Sequence, residues 1–325
     1  MNVLVTGGAG FIGSHISEAF LERGDRVWVL DDLSSGKRDN VPAGAELVVA
    51  DVGDPGVRDL FRDVRFEVVS HHAAQIDVRV SVSDPALDAR VNVLGLLNLT
   101  EAALEVGTRR FLYVSSGGVV YGEPDDRPTA ETAPKQPLSP YGVSKLTGEY
   151  YLRYYRQVHG LEYVALRYAN VYGPRQDPHG EAGVIAIFLN RLLEGRPITI
   201  FGDGEQTRDY VNVADVVSAN LCAADMEVPV PSADLDDVAL NVGTGAETSV
   251  NRLADLLEQV SGRAHGREHR AARAGELRRS ALDSSRLRGL GWLPRRTLEE
   301  GLRETFAHFA VRKEEALEAE RVRAR

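Results

Sequence analysis

The stretch Val3-Leu4-Val5-Thr6-Gly7-Gly8-Ala9-Gly10-Phe11-Ile12-Gly13 decides the fold. A short apolar strand runs into glycines, and the glycines open a helix-like pattern from Phe11 to Arg23. Glycine lets the backbone turn tightly and approach a pyrophosphate. The helix N-terminus behind it offers unpaired N–H groups and positive potential. The next strand, Arg26 to Asp31, ends in acids, and Asp31 stands 18 residues beyond Gly13. A carboxylate there accepts bonds from both ribose hydroxyls and repels a 2′-phosphate, which favours NAD over NADP. Asp51 ends the next apolar run, Leu47 to Asp51. It is placed either to receive the adenine amine or to cap a helix over 56–63.

Working outward, strand and helix alternate strictly. Further strands are expected at Glu67–His71, Phe111–Ser115 and Tyr163–Arg167, with a short helix at Val57–Val64 and long helices at Asp88–Val106 and Tyr141–His159. Such alternation implies right-handed crossovers and an α/β fold: a Rossmann-type doubly wound parallel sheet with helices on both faces. After Asn170 the rhythm breaks in a loop rich in Gly, Pro, Asp and His over 173–183. Helices follow near Val184–Glu194, Ala214–Ala224, Leu253–Val260 and Leu298–Arg325, with a strand at Ile198–Ile200. The expected division is a cofactor domain over 1–171 and a smaller α/β substrate lobe over 172–325. Part of 209–245 is a candidate to return to the first lobe.

The chain has 325 residues, 43% hydrophobic and 26% charged, as in an ordinary globular protein. No apolar run approaches membrane-spanning length, so no membrane partner is expected. Met1-Asn2 leads straight into a strand with no basic n-region, so no secretion signal is expected either. One cysteine, Cys222, allows no internal disulfide and suits a reducing cytoplasm. Thirty-eight Lys+Arg against 48 Asp+Glu give −10, which argues against nucleic-acid binding. The charge is uneven: residues 261–296 hold ten Arg against Glu268, Glu276 and Asp283, a local +7. That segment reads either as a solvated, ion-paired surface or as a local anion site. His71, His72 and His179 lack ligand spacing, so no metal is expected.

Two further motifs carry chemistry. In Tyr141-Gly-Val-Ser-Lys145, Tyr and Lys share a helical face. A lysine cation beside the phenol is expected to lower its pKa and make phenolate available as a base. Val114-Ser115-Ser116-Gly117-Gly118-Val119-Val120-Tyr121-Gly122 sets hydroxyls at the carboxyl end of a parallel strand, facing the ligand crevice. Together with His72-Ala73-Ala74, these motifs make the chain resemble the extended short-chain dehydrogenases/reductases, the NAD-dependent epimerase/dehydratase group. Leu166-Arg167-Tyr168-Ala169-Asn170-Val171-Tyr172-Gly173-Pro174, Phe201-Gly202-Asp203-Gly204 through Arg208-Asp209-Tyr210, Gly275-Glu276-Leu277 and Leu290-Gly291-Trp292 extend the likeness over nearly the whole chain. Within that group it is most similar to the UDP-glucose 4-epimerases.

The resemblance implies roles. Tyr141 would be the base, Lys145 would hold the nicotinamide ribose, and Ser116 is the candidate catalytic hydroxyl. NAD would be held by Gly7, Gly10, Phe11, Ile12, Gly13, Asp31, Asp32, Asp51, Val52, Ala73, Ala74, Gln75 and Ser115, with Tyr141 and Lys145. Substrate contacts would come from Ser116, Asn170, Val184, Thr199, Phe201, Arg208, Arg273 and Glu276. The implied reaction is reversible C4 epimerisation of a UDP-hexose, glucose/galactose foremost, through a transient 4-keto sugar. UDP-N-acetylhexosamine and UDP-glucuronate are the alternatives, with Arg79 and Arg175 as candidates to meet a C6 carboxylate. Relatives pair their two long helices, which implies a homodimer; Leu94, Leu96, Leu97 and Leu99 and Tyr150, Tyr151, Tyr154 and Tyr155 carry the extra apolar character here.

The chain also departs from the pattern. The family's catalytic Ser or Thr usually stands four residues before the Tyr of the Tyr-Gly pair, and here that position is Gly117. The 4,6-dehydratases carry Thr-Asp-Glu where this chain has Gly117-Gly118-Val119, so water elimination lacks its acid. Where enterobacterial-type epimerases carry a bulky Tyr, this chain has Ser280, which could admit an N-acetyl group. A reading of another class is a non-catalytic NAD-binding regulator on the same fold.

Overall fold

The computed structural model describes residues 1–179, 183–232, 234–273 and 277–323. The first half runs β1 (Asn2–Thr6), α1 (Phe11–Glu22), β2 (Arg26–Asp31), β3 (Glu46–Val49), α2 (Val57–Val64), β4 (Val68–His71), α3 (Val78–Ser83), α4 (Pro85–Ala89), α5 (Gly95–Val106), β5 (Arg110–Ser116), α6 (Gly117–Val120), α7 (Pro140–His159) and β6 (Tyr163–Tyr168). The second half runs β7 (Asn170–Tyr172), α8 (Val184–Leu193), β8 (Ile198–Phe201), β9 (Thr207–Arg208), β10 (Tyr210–Asn212), α9 (Val213–Asp225), β11 (Ala239–Val242), β12 (Thr248–Ser249), α10 (Val250–Ser261), β13 (Arg267–Arg270), α11 (Ser285–Gly289) and α12 (Leu298–Arg323).

Seven strands form one parallel sheet in the order β3-β2-β1-β4-β5-β6-β11. Alternate residues of each strand point to opposite layers. Val3 and Val5 pack with Ile16, Phe20, Val216, Ala219 and Leu287 on the α1, α9 and α11 side. Leu4 packs with Phe61, Leu96, Leu99 and Leu152 on the α2, α5 and α7 side. Winding direction reverses between β1 and β4, so a crevice opens beyond their carboxyl ends. A third core lies apart from the large sheet, where Ile185, Phe188, Leu189, Ile198, Ile200, Leu253, Leu257 and Leu302 join α8, β8, α10 and α12. The chain leaves the large sheet after β6 and comes back: α9 packs on α1, and β11 pairs with β6 at Ala239↔Ala165.

Two local expectations are corrected. The third strand stops at Val49, and Asp51 closes a turn by accepting from Gly53 N at 2.6 Å. It does not cap α2, whose N-cap is Gly56. The helix expected over Asp88–Val106 is broken: α4 passes through a π turn, Arg90–Leu94, before α5 begins. The turn is fixed by a tertiary contact, in which Asn92 Oδ1 accepts from Gln75 N at 2.9 Å and Asn92 Nδ2 donates to Gln75 O at 2.9 Å. Among the described residues no helix is long and apolar enough to cross a membrane.

Candidate active site

The glycine fingerprint sits at the mouth of the crevice. Gly7 has φ +65°, and a Cβ there would stand 2.7 Å from Ala73 N, so the turns after β1 and β4 close on each other only through glycine. A Cβ on Gly13 would meet Gly7 O at 2.3 Å, which draws α1 against the same turn. The first internal amide bond of α1 is Ser14 N to Gly10 O, leaving the amides of Phe11, Ile12 and Gly13 to face the crevice. Asp31 lies at the end of β2, buried, and accepts from Ala9 N at 3.0 Å and Leu33 N at 2.8 Å. Asp32 is exposed and holds Ser34. Ala73 donates to Thr6 Oγ1, which also meets His71 Nδ1 at 2.7 Å. Val52 is buried in the core against Gly95, so it offers the crevice no side chain.

Tyr141 is the second residue of α7, in the first turn that Ser139 caps by accepting from Gly142 N. Lys145 is buried, donates to Val114 O at 2.9 Å, and stands 5.7 Å from the Tyr141 ring centroid. The pair is therefore on one face, as the spacing predicts. The electrostatics differ from expectation. Burial pushes the Tyr141 phenol well above its ordinary value, and the Asp88 charge pushes it further. Burial also draws the Lys145 ammonium down to about 8, with Asp88 opposing. In the chain alone desolvation outweighs the lysine's pull on the phenol.

The missing hydroxyl at position 117 has a steric cause. A Cβ on Gly117 would stand 2.5 Å from Leu282 Cδ1, and Leu282 is buried. Ser116 is the remaining hydroxyl at this strand end, with Oγ 3.8 Å from where a Gly118 Cβ would lie. Ser115 turns the other way: its buried hydroxyl donates to Glu149 Oε1 at 2.5 Å, so that side chain does not reach a cofactor. Glu149 in turn accepts from Arg167 at 2.6 and 3.0 Å, and Arg167 also reaches Asp236 and the Tyr121 hydroxyl. This buried network ties β5, α7 and β6 together beneath Ser116 and Tyr141. Sequence reasoning missed it because its members lie 18 to 69 residues apart.

The second lobe supplies a cleft of about 250 Å³ lined by Phe201, Gly202, Gln206, Arg273 and Leu277. The Arg273 guanidinium lies over the Phe201 ring at 3.9 Å. Thr199 is buried on the strand leading in, and its Oγ1 has no hydrogen-bond partner among the described residues. Val184 begins α8, Asn170 is exposed at the start of β7, and Arg208 lies on β9 and donates to Thr207 O. The segment Leu277–Leu282 runs from this cleft to Gly117, bridging Thr207 at Arg279 and Thr129 at Leu282. One extended segment thus joins the cleft to the Tyr141 strand end. Glu276 lies outside the described residues. Arg79 is ion-paired with Asp77, and Arg175 with Glu18. Part of the basic segment is likewise paired: Arg267 with Asp255 and Glu258, Arg270 with Glu268, Arg278 with Asp203, Arg279 with Glu247, Arg296 with Glu304.

Sequence reasoning also missed a polar cluster at the π turn. Asp88 is fully buried, and its Oδ2 accepts from Gln75 Nε2 at 3.0 Å and Asn92 Nδ2 at 3.1 Å. The signal was present: Asp88 and Asn92 stand four apart on one face of a helical stretch. His71 and His72 sit beside this region, both held neutral by burial and by the Lys145 charge. Among the described residues no group of three or more His, Cys, Asp or Glu could hold a metal ion.

Residues 3–243 match the model of the NAD dependent epimerase/dehydratase family. A UDP-glucose 4-epimerase of Mycolicibacterium smegmatis is 46% identical over 95% of this chain and 98% of its own. Among solved structures, a UDP-glucose 4-epimerase of Thermotoga maritima, determined with UDP-glucose, superposes with TM-score 0.91 at 46% identity, covering 95% of this chain and 98% of that one. A UDP-glucose 4-epimerase of Thermus thermophilus, in complex with NAD, gives 0.89 at 46% identity over 95% and 99%.

Proposed function

The chain belongs to the NAD dependent epimerase/dehydratase family, and on that premise we propose that it is a UDP-hexose 4-epimerase with tightly held NAD, UDP-glucose and UDP-galactose being its pair. One observation carries the choice of reaction. The end of β5 offers the Ser116 hydroxyl and the Tyr141–Lys145 pair, while Gly117 and Gly118 put no carboxylate beside them. Such a site has a base for a hydroxyl proton and no acid for eliminating water, which separates epimerisation from 4,6-dehydration.

The α1 amides, Gly7, Gly10 and Gly13 form a cradle that fits a pyrophosphate, and Asp31 would accept from the adenosine ribose hydroxyls. Ala73, Ala74 and Gln75 line the opposite turn, and Lys145 holds the nicotinamide ribose. NAD supplies the two-electron acceptor and donor for the sugar's C4. Tyr141 Oη takes the 4-hydroxyl proton, Ser116 donates a hydrogen bond to the same oxygen, and the 4-keto sugar forms. Arg208, Arg273 and Asn170 hold the diphosphate, and Thr199, Phe201 and Val184 hold the uridine. The keto sugar turns about its bonds to the anchored diphosphate and presents its other face. Tyr141 then returns the proton, giving the C4 epimer with no net oxidation.

Two further parts belong to this reading. The exposed stripe Val143, Tyr150, Tyr154 and Val158 on α7, with Leu94, forms the face of a homodimer. The lone Cys222, unpaired, suits a cytoplasmic setting. The test is an NMR-monitored panel of UDP-sugars given to purified protein without added oxidant. UDP-galactose should convert to UDP-glucose, and Tyr141→Phe should lose about 10²–10⁴-fold in kcat. Conversion of N-acetylated UDP-hexoses in preference to these would transfer the reading to the pocket beside Ser280. No conversion of any UDP-hexose by NAD-loaded protein sinks it.

A further inference from the structure

Lys145 is a buried cation, and among the described residues no carboxylate lies within ion-pair distance of its Nζ. An ammonium taken out of water without a counter-charge tends to shed its proton. From β5 comes Tyr113, whose ring centroid is 5.3 Å away, and from α7 itself comes Tyr141. At the end of β4 are His71 and His72, both neutral. Glu149 on α7 is spoken for by Arg167, and Arg79 and Arg90, on the packed α3 and the π turn, are exposed. Asp88 on α4 is what remains. It supplies the carboxylate charge that reaches Lys145 from α4, which packs directly on α7.

Asp88 itself is unusual. It is wholly buried, both of its neutral partners, Gln75 and Asn92, bind the same oxygen, and Oδ1 has no hydrogen-bond partner among the described residues. A structural carboxylate in such a place would gain by filling both oxygens or by being an amide, since a half-satisfied buried charge is costly. The π turn adds to the case: it keeps Asn92 on Gln75 and holds Asp88 inward beside α7. π turns of this kind are frequent at functional sites.

We propose that Asp88 is a positioning residue of the Tyr141–Lys145 pair, the buried counter-charge that keeps Lys145 an ammonium where it must serve. The assignment rests on the reading of Tyr141 and Lys145 given above, but it is tested without turnover. The protein has four lysines, Lys37, Lys135, Lys145 and Lys313, so lysine labelled with ¹³C at Cε gives a spectrum of four signals. Lys145→Met identifies the signal of interest, which in the parent should titrate near 8.

Asp88→Asn keeps an oxygen acceptor for Gln75 and Asn92, removes the charge, and puts an amide NH2 in the place of Oδ1. It should lower the Lys145 midpoint by about 1 unit, while Asp88→Glu keeps it close to the parent. In turnover, both limbs of the pH profile should move to lower pH, since losing a negative charge weakens proton binding at Tyr141 and Lys145 alike. The kcat should fall less than twofold at pH 7 and up to about tenfold near pH 9, where the variant loses the Lys145 ammonium first, with KM for the UDP-sugar unchanged. An unchanged Lys145 midpoint in folded Asp88→Asn overturns the assignment. If that variant does not fold, Asp88→Ser takes its place, and failure of both neutral variants to fold makes Asp88 a structural requirement, which also overturns it. An inactive parent would overturn the epimerase reading alone, because the lysine titration needs no substrate.

Discussion

At position 117 the absence of a side chain is enforced by packing. Leu282 fills the space a Cβ would take, and it is anchored there by its own amide, which donates to Asp209 Oδ2 at 3.2 Å. Restoring the family's usual hydroxyl by Gly117→Ser should therefore cost about 1–3 kcal/mol of stability and no gain in rate. Gly117→Ser with Leu282→Ala should recover part of that cost, a coupling of at least about 0.5 kcal/mol measurable by a urea double-mutant cycle. Additive costs would show that the contact does not govern the position. Ser116→Ala, by contrast, should leave the melting temperature near the parent's and lower kcat about 10²-fold. The sequence identified the departure at Gly117 but not its cause, because Leu282 lies 165 residues away.

Elements were legible where one period dominates. The glycine fingerprint, the parallel strands and α7 follow from local pattern and chain order, and they carry Asp31, Tyr141 and Lys145 to the crevice with them. What local pattern could not supply is tertiary. The π turn exists because Asn92 grips the Gln75 backbone across 17 residues, and the apolar spacing runs through it unaltered. The arginines of 261–296 looked like one basic patch; their partners Asp203, Glu247 and Glu258 are brought to them by folding. Arg273, stacked on Phe201, lines the cleft, as does Arg278, which is paired with Asp203. At this scale belongs the test of α7's outer stripe. Tyr150 and Tyr154 are 55% and 48% exposed, although tyrosines this large usually bury most of their rings. Tyr150→Glu with Tyr154→Glu should convert a dimer to a monomer in light scattering while circular dichroism stays unchanged. A mass unaffected by both charges would place the subunit contact elsewhere or nowhere.

On the scale of the whole molecule, the ligand crevice and the second core meet along a seam that includes the loop after β7 and the outer face of α1. His15 sits in that seam. Its Nε2–H donates to Pro174 O at 3.0 Å, and its Nδ1 accepts from Arg175 Nη2 at 2.8 Å. A second proton, on Nδ1, would face the guanidinium. Burial and that neighbour lower the His15 pKa to about 4, against about 6.5 in an unfolded chain. The sign follows from linkage: with the folded pKa below the unfolded one, the unfolded state binds the extra proton first. The contribution is whole above pH 6.5 and is lost as pH falls toward 4, about 2 kcal/mol by pH 5. His72, lowered to about 3, adds a loss of the same sign. His15→Gln retains one donor and one acceptor and cannot titrate. Urea unfolding of parent and variant from pH 7.5 to 5 should therefore diverge, the parent losing about 2 kcal/mol more than the variant. Parallel curves would mean that His15 is protonated in the fold and that the seam opens to accommodate it.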